Sequence, residues 1–342
     1  MFFLPIFFLL FGCADQNAHS VKEQLANNTL STEDVNGSVS SENLGDNSQS
    51  PYVHNNISIS SVNNSCGNGE SFSLTDFSCS VTYSCDSEFE CINIGNILAE
   101  EIAELFSLTS YLNIDYDIYN EETELQTFDV YANLLKTDYF SSIENMNTYS
   151  DFWSDFSWII PSKYRLDITK FRVYEGSWMQ AYMLMHDLDS ANEWTFAVNS
   201  LGFTSAKSTV ETYVHEFSHV LSLRKTQIDY YSDSDSCDGV YFDDVCVIKG
   251  SYLYDFYESF YLNDPYPNND LFFVSSYASN NTLEDFSESF MHFVFEPTPD
   301  SDSIRDDKVL FFYNYPEFIE MRNEILSRVI IWIPKSNFFL SE

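Results

Sequence analysis

The segment that most constrains the fold is His215 to His219, which reads His-Glu-Phe-Ser-His. Residues four apart lie on one face of an α-helix, so in a helix both imidazoles can reach a single metal ion. Glu216 would then lie beside that ion without binding it. The motif therefore predicts a helix that carries two metal ligands and one free carboxylate.

The residues around the motif predict a strand followed by this helix. The apolar segment Trp194 to Asn199 is typical of a short strand, and Thr204 and Ser205, which follow Gly202, suit the start of a helix. Apolar residues then recur at helical spacing and predict a buried side: Val210, Val214, Phe217 and Leu221. The two histidines would lie on another side of the same helix.

A catalytic metal of this kind needs a third protein ligand, and Glu284 is the predicted one. Thr282 is expected to cap a second helix, which Pro297 ends. Its buried side would be formed by Phe286, Phe290 and Phe293. Glu284 and Glu288 share the other side. We expect Glu284 to bind the metal and Glu288 to accept a hydrogen bond from a ligating histidine, which fixes the tautomer of that histidine.

Each of these assignments has a structural alternative. The two motif histidines could decorate a surface or satisfy a core, and Glu284 and Glu288 could form a solvated helix face in a very acidic chain. His186 and His292 are rival candidates for the third ligand. The third ligand is therefore the position that a structure tests most directly.

These segments resemble the gluzincin metallopeptidases, above all the lethal-factor-like branch and bacterial lipoproteins described as zinc-binding metallopeptidases. The resemblance covers roughly residues 175 to 295 and lies in HEFSHVLSL, SYLYDFYESFY and FVSSYASNNTLEDFSESF. In that family the first glutamate of the E-x-x-x-E pair binds the metal, and a tyrosine seven residues before it, here Tyr277, assists catalysis. Ser218 and Ser287 stand where glycine or alanine is common, and neither is expected to touch a ligand.

The resemblance implies an enzyme that hydrolyses peptide bonds with one zinc ion. Zinc would be held by His215, His219 and Glu284, and Glu216 would be the general base for the water that zinc activates. Tyr277 would donate a hydrogen bond to the developing oxyanion, and its alternative role is that of a packing aromatic. The runner-up function is a surface binding lipoprotein that keeps the fold but does not turn over substrate.

The implied fold class is α+β and zincin-like. In that fold a small twisted sheet lies over the active-site helix, and a mostly helical lower part follows. The segment Trp194 to Asn199 would be the edge strand of this sheet, whose backbone could pair with an extended peptide or protein substrate. The predicted domain comprises residues 96–342, and we expect it to be a monomer.

The amino terminus predicts export. Residues 1–12, MFFLPIFFLLFG, form an apolar run too short to span a bilayer stably, which favours a signal peptide. The run ends at Cys13 in a segment similar to a bacterial lipoprotein cleavage box. We therefore expect a lipid on Cys13 that anchors the chain to a membrane outside the cytoplasm, with simple secretion as the alternative. Residues 13–65, rich in Asn and Ser, would be a disordered linker.

The seven cysteines agree with export, because lipidation of Cys13 leaves an even six for disulfides. Cys237 and Cys246 form the strongest candidate pair. Four others crowd the predicted Cys-rich segment, residues 66–95, and their pairing is left open: Cys66, Cys79, Cys85 and Cys91. A structural zinc at these four is the alternative, although their spacing lacks a Cys-x-x-Cys knuckle.

The charge of the chain excludes one class of partner. With 53 acidic and 15 basic residues, the formal net charge is -38. Such a chain repels nucleic acid and anionic lipid surfaces, so no polynucleotide partner is expected. Association with a membrane would have to come from the acyl chains on Cys13.

Overall fold

A computed structural model describes residues 70–73, 78–81, 85–111, 122–131, 134–136, 146–176, 179–186, 192–262 and 270–339. The predicted signal peptide, Cys13, the linker and Cys66 lie outside these residues. The described elements mix helices and strands, which confirms the expected α+β class at that level.

The described strands form three sheets. The main sheet has five strands in the order β4-β3-β5-β7-β6: β3 (Thr123–Tyr131), β4 (Leu134–Leu135), β5 (Ile168–Glu175), β6 (Ala181–Met185) and β7 (Trp194–Asn199). Its neighbours are antiparallel except β5 and β7, which are parallel. The smaller sheets are a hairpin of β1 (Glu70–Ser73) and β2 (Ser78–Val81), and a three-stranded sheet of β8 (Ile228–Asp229), β9 (Val240–Phe242) and β10 (Val245–Val247).

The strand over Trp194–Asn199 is present, but its expected place at the sheet edge is wrong. β7 lies between β5 and β6, and β6 (Ala181–Met185) is the edge strand on that side. All six residues of β7 are buried. A strand that is covered on both faces needs apolar residues at consecutive positions, which places it inside a sheet. β6 therefore has the position over the helix that we expected for β7.

Seven α-helices complete the described part of the chain: α1 (Glu88–Phe106), α2 (Met146–Ile159), α3 (Ala206–Ser222), α4 (Tyr252–Phe260), α5 (Thr282–Phe295), α6 (Ile304–Phe311) and α7 (Pro316–Trp332). None of the helices in these ranges is long and apolar enough to cross a bilayer. α3 contains the His-Glu-Phe-Ser-His motif and packs against α5. After β7 the chain is mainly helical.

The two helices of interest begin at side-chain caps. Ser205 accepts a hydrogen bond from the Ser208 N–H at 3.1 Å and caps α3, as its position before the apolar pattern indicates. For α5, the expected cap at Thr282 is wrong by one residue. Asn281 is the cap, because its Oδ1 accepts the Glu284 N–H at 2.9 Å.

Aromatic side chains fill the core and hold α3 and α5 in place. Between the sheet and the helices, the rings of Phe156 and Phe196 lie 4.1 Å apart, and Tyr213 of α3 packs edge-on against both. Below the site, Phe286 and Phe290 of α5 pack edge-on against the buried Phe312. Such pairs contribute about 0.5–1.5 kcal/mol each beyond their burial. The backbones that carry the candidate ligands are thus fixed from both sides.

Two disulfides are present among the described cysteines. Cys237–Cys246 fits the strongest pairing expected from the sequence, and it links β10 to the segment before β9. Cys85–Cys91 fastens the start of α1. The second bond uses two of the four thiolates that the alternative zinc site would need. α1 itself begins at Glu88, so it crosses the boundary expected between residues 95 and 96.

Candidate metal centre

Helix α3 presents the two motif histidines to the interior of the protein. His215 and His219 lie one turn apart, with ring centroids 5.0 Å from each other. Only 6% of His215 and none of His219 is exposed. The alternative of two surface histidines is thereby excluded. The side chains that face the two imidazoles come from helix α5.

Helix α5 brings the Glu284 carboxylate to both imidazoles. Glu284 Oε2 lies 3.1 Å from His215 Nε2 and 3.4 Å from His219 Nε2. One ligand atom from each of the three residues lies within 4.8 Å of the others. The structure therefore brings together the three residues that the sequence analysis selected as ligands.

The chemistry of these atoms fits a metal ion. His215 Nε2, His219 Nε2 and Glu284 Oε2 are buried, and none of them makes a hydrogen bond within the described part of the chain. Buried polar atoms are normally paired, so three unpaired ones facing a common point require a partner. Two imidazole nitrogens and one carboxylate oxygen are the donor set of many catalytic zinc sites.

The electrostatics of the centre favour a positive charge. Burial alone would lower the pKa of His215, but the nearby carboxylates of Glu284 and Glu288 outweigh it and raise that pKa well above its ordinary value. Burial alone would raise the pKa of Glu284, but the neighbouring His219 and His215 outweigh it and lower that pKa to about 2. An ionised carboxylate beside two imidazoles is an arrangement that suits a divalent cation.

Glu288 lies where a residue that orients a ligand is expected. Its Oε1 is 2.7 Å from His215 Nδ1, and its Oε2 accepts a hydrogen bond from Ser275 Oγ at 2.5 Å. Burial raises the pKa of Glu288, yet the hydrogen bond to His215 outweighs it and leaves the pKa lowered. An ionised carboxylate only accepts hydrogen bonds, so Nδ1 of His215 carries the proton and Nε2 is free to bind a metal.

Glu216 lies beside the three candidate ligands. It is 3% exposed, and its Oε2 has no hydrogen-bond partner among the described residues. Burial raises its pKa to about 7, although His215 and His219 oppose this rise. The backbone N–H of Met183, in edge strand β6, donates to the same carboxylate. The edge strand thus positions this carboxylate and leaves one of its oxygens available.

One contact in the centre contradicts the sequence analysis. Ser287 was expected not to touch a ligand, but its Oγ lies 3.1 Å from His219 Nδ1. Ser287 and Glu288 are consecutive on α5, and consecutive helix residues point in different directions. Ser287 therefore faces His219 while Glu288 faces His215. Ser218 donates to the backbone carbonyl of His215 at 2.7 Å, which also makes contact with a ligand residue but not with its ring.

Tyr277 lies next to the centre, in the loop that precedes α5. Its ring centroid is 5.6 Å from that of His215, and the side chain is only partly buried. The rival ligands lie elsewhere. His186 pairs with Thr195 at 2.8 Å, and His292 pairs with Glu296 at 2.8 Å. Neither belongs to the group of side chains that could share a metal.

Comparisons with known proteins add little to this geometry. No protein-family model matches the chain, and no curated protein matches it significantly. Among solved structures, the chain is similar to a Bacteroides caccae ATCC 43185 protein provisionally described as a zinc-binding metallo-peptidase. The two are 14% identical, the match covers 76% of this chain and 99% of that one, and the TM-score is 0.29. A similarity of this size carries no argument, so the assignment rests on the side chains.

Proposed function

We propose that this protein is a zinc-dependent endopeptidase with a zincin-like, gluzincin catalytic domain. The observation that carries the proposal is the convergence of three buried metal-binding atoms, from His215, His219 and Glu284, which have no hydrogen-bond partner among the described residues. The buried Glu216 carboxylate lies beside them. A purely structural cluster would pair its buried polar atoms with each other or with the backbone. This cluster leaves them directed at one point.

His215, His219 and Glu284 would hold the metal, and the mixed nitrogen and oxygen donor set favours zinc. When bound, zinc supplies Lewis acidity, which polarises a substrate carbonyl and brings the pKa of a coordinated water to about 7. Three protein ligands leave a position for water and substrate. Glu288 and Ser287 would keep the two imidazoles turned with Nε2 toward the metal.

Glu216 would act as the general base. Its carboxylate interacts electrostatically with the three candidate ligands. The Met183 N–H donates to it, and its Oε2 has no hydrogen-bond partner among the described residues. The free oxygen can take a proton from the attacking water and pass it to the leaving amine of the peptide. The burial of Glu216 excludes bulk water from that transfer.

Tyr277 would stabilise the transition state. Its ring lies beside that of His215, and a phenol can donate a hydrogen bond to the oxyanion that develops on the substrate carbonyl. β6 is the edge strand of the main sheet, and no described strand pairs with its outer side, so an extended substrate could add there. Its Met183 already contacts Glu216, which connects a strand-bound peptide to the general base.

The decisive experiment compares the wild type with Glu216→Gln. Both proteins are purified with zinc, their metal content is measured, and the cleavage of casein is followed. We expect one zinc per chain in both and cleavage only by the wild type, because the amide cannot accept the proton. If the wild type binds stoichiometric zinc but cleaves neither casein nor a peptide library, the endopeptidase proposal is wrong. The alternative function, a surface binding lipoprotein, would then be favoured.

We also propose that the chain is exported and anchored through a lipid on Cys13. The disulfides Cys237–Cys246 and Cys85–Cys91 support an oxidising compartment. Cys13→Ser should move the protein from the membrane fraction to the soluble fraction. A variant that stays with the membrane would rule out the lipid, and a wild type found only in the medium would favour simple secretion.

A further inference from the structure

A cavity lies beside the candidate metal centre and is not explained by it. Its volume is about 560 Å³, and it is lined by Phe273, Val274, Ser275, Ser276, Ser279 and Arg305. Ser275 connects it to the centre, because its Oγ donates to Glu288, which in turn holds His215. A cavity of this size is typical of sites that hold a small ligand or a few side chains of a peptide.

The wall that carries Arg305 is rigidly held. Lys308, one turn further along α6, is completely buried and paired with Asp285 of α5. Its Nζ lies 3.4 Å from the ring centroid of Phe272 and 4.6 Å from that of Phe273, a residue of the cavity wall. The same ammonium group therefore fastens α6 both to the helix that carries Glu284 and to the loop that lines the cavity.

Arg305 has hydrogen-bonding capacity left for a ligand. Its Nε is buried and makes no hydrogen bond within the described part of the chain. Its Nη2 lies 3.7 Å from Glu296 Oε1, which is an ion pair but too long for a hydrogen bond. The same Glu296 oxygen is already bonded to His292 at 2.8 Å. The guanidinium thus keeps donors for a second anion.

The lining of the cavity suits an anionic ligand. Among the described residues that line it, Arg305 is the sole charged one, and three serine hydroxyl groups accompany it. Elsewhere a net charge of -38 opposes anionic ligands. Guanidinium groups bind carboxylates through paired hydrogen bonds. Ser275 Oγ already donates to Glu288 and Ser279 Oγ to the Ser276 carbonyl, so the Ser276 hydroxyl is the one that can donate to a remaining lone pair of the ligand.

We infer that this cavity is a substrate pocket in which Arg305 selects a carboxylate close to the scissile bond. The carboxylate would belong to an Asp or Glu side chain or to the free carboxyl terminus of a short peptide. The inference rests on the proposed function, because it takes the ligand to be a peptide. Arg305 is then a specificity residue that does not take part in the chemical step.

Binding can test the pocket separately from turnover. The full chain with Glu216→Gln is loaded with zinc and titrated with fluorescent decapeptides that carry either Glu or Gln at one position in turn. One set has an amidated carboxyl terminus, and a second set has Gln throughout and a free terminus. The titrations are repeated with Arg305→Gln added. They are also repeated with Lys207→Gln, which removes the same charge from the nearby start of α3 without altering the cavity lining.

We expect peptides with a carboxylate at one position, either internal or at the free carboxyl terminus, to bind at least about 10-fold more tightly than the matched peptides without that carboxylate. Arg305→Gln should reduce this preference to less than about twofold, and Lys207→Gln should retain it. Zinc content and melting temperature should be equal in all variants, which shows that the pocket alone has changed. Because the readout is binding, loss of peptide cleavage by the wild type would refute the endopeptidase and leave this result intact.

Two results would overturn the inference. The first is that the Glu216→Gln protein that retains Arg305 binds peptides with and without the carboxylate equally well. This includes the case in which no peptide binds. The second is a preference that survives Arg305→Gln. If either result is found and the wild type cleaves casein, the proposed function stands and the assignment of the cavity as a carboxylate pocket is wrong.

Discussion

Glu288 Oε1 accepts a hydrogen bond from His215 Nδ1 at 2.7 Å, and this single contact determines which nitrogen of His215 faces the metal centre. Glu284, one turn earlier on α5, lies 3.1 Å from the other nitrogen. The two glutamates thus lie at opposite nitrogens of the same ring. Their roles differ because one would touch the metal and the other would only orient a ligand.

Substitution should separate these two roles. Glu284→Gln replaces a charged ligand with a neutral amide and should abolish stoichiometric zinc binding. Glu288→Gln keeps the three ligands and should weaken zinc about 10- to 100-fold, as expected for a group that orients a ligand. Competition with a chromophoric chelator measures both affinities. Unaltered zinc binding in both variants would refute the assignment of the third ligand.

Ser287 should also contribute to metal affinity, through His219. Its Oγ lies 3.1 Å from His219 Nδ1, so Ser287→Ala leaves that nitrogen without its partner inside a buried site. We expect zinc to bind up to about 10-fold more weakly, the lower end of the range for such contacts. Ser218→Ala is the matched control, because Ser218 donates only to a backbone carbonyl. Equal affinities in the two variants would show that His219 needs no help from Ser287.

The sequence predicted those parts of the metal centre that depend only on residues close together in the chain. Residues four apart on a helix share a face whatever the rest of the fold, so His215 with His219 and Glu284 with Glu288 could be paired without coordinates. Ser287 could not be found in this way. Its contact with His219 depends on how α5 is rotated against α3, which is decided by packing between helices that are distant in sequence.

The order of the strands could not be predicted from the sequence for a similar reason. One signal in the sequence, the apolar composition of Trp194 to Asn199, was nevertheless overlooked. Strand order depends on pairing between segments far apart in the chain, and β7 lies inside the sheet rather than at its edge. The unbroken burial of Trp194 to Asn199 follows from its apolar composition, which favours a central strand. The cap of α5 was misplaced because Asn281 and Thr282 are both good capping residues, one position apart.

Removal of the metal should lower the thermal stability of the wild type. A ligand that binds only the folded state stabilises it by about 4 kcal/mol when its concentration is a thousand times the dissociation constant. We therefore expect a chelator to lower the melting temperature of the zinc-loaded protein by several degrees. Glu284→Gln should show almost no shift under the same conditions. A chelator effect of equal size in that variant would point to metal bound elsewhere.

Tyr277→Phe tests the oxyanion role. The substitution removes one hydroxyl and keeps the ring that packs 5.6 Å from His215. If the hydroxyl acts in the transition state, kcat should fall by about 10²- to 10³-fold while KM and zinc content change little. Steady-state kinetics with a defined peptide give both constants. A change in KM alone would make Tyr277 a residue that packs against substrate.

Asp155, which is not one of the candidate ligands, should make stability depend on pH. It lies on α2 and accepts a hydrogen bond from Trp332 Nε1 of α7 at 2.8 Å. Burial raises its pKa to about 7 from an ordinary value of 3.8; that hydrogen bond opposes the rise and the nearby Asp151 adds to it. The folded state therefore holds a proton on Asp155 that the unfolded state releases, across the range from about pH 4 to pH 7.

The sign of the effect follows from this difference. A carboxyl whose pKa is raised on folding contributes stability that is fully present below pH 3.8 and is lost as the pH rises through about 7. The loss is about 1.4 kcal/mol for each pH unit inside that window. Asp155→Asn keeps an oxygen that can accept from Trp332 but cannot ionise, so the wild type should lose stability relative to this variant between pH 5 and roughly pH 7 and then level off. Urea unfolding of both proteins at several pH values measures that difference, in which the titration of the metal centre cancels. A difference that stays constant from pH 5 to roughly pH 8 would show that Asp155 is ionised in the folded protein throughout.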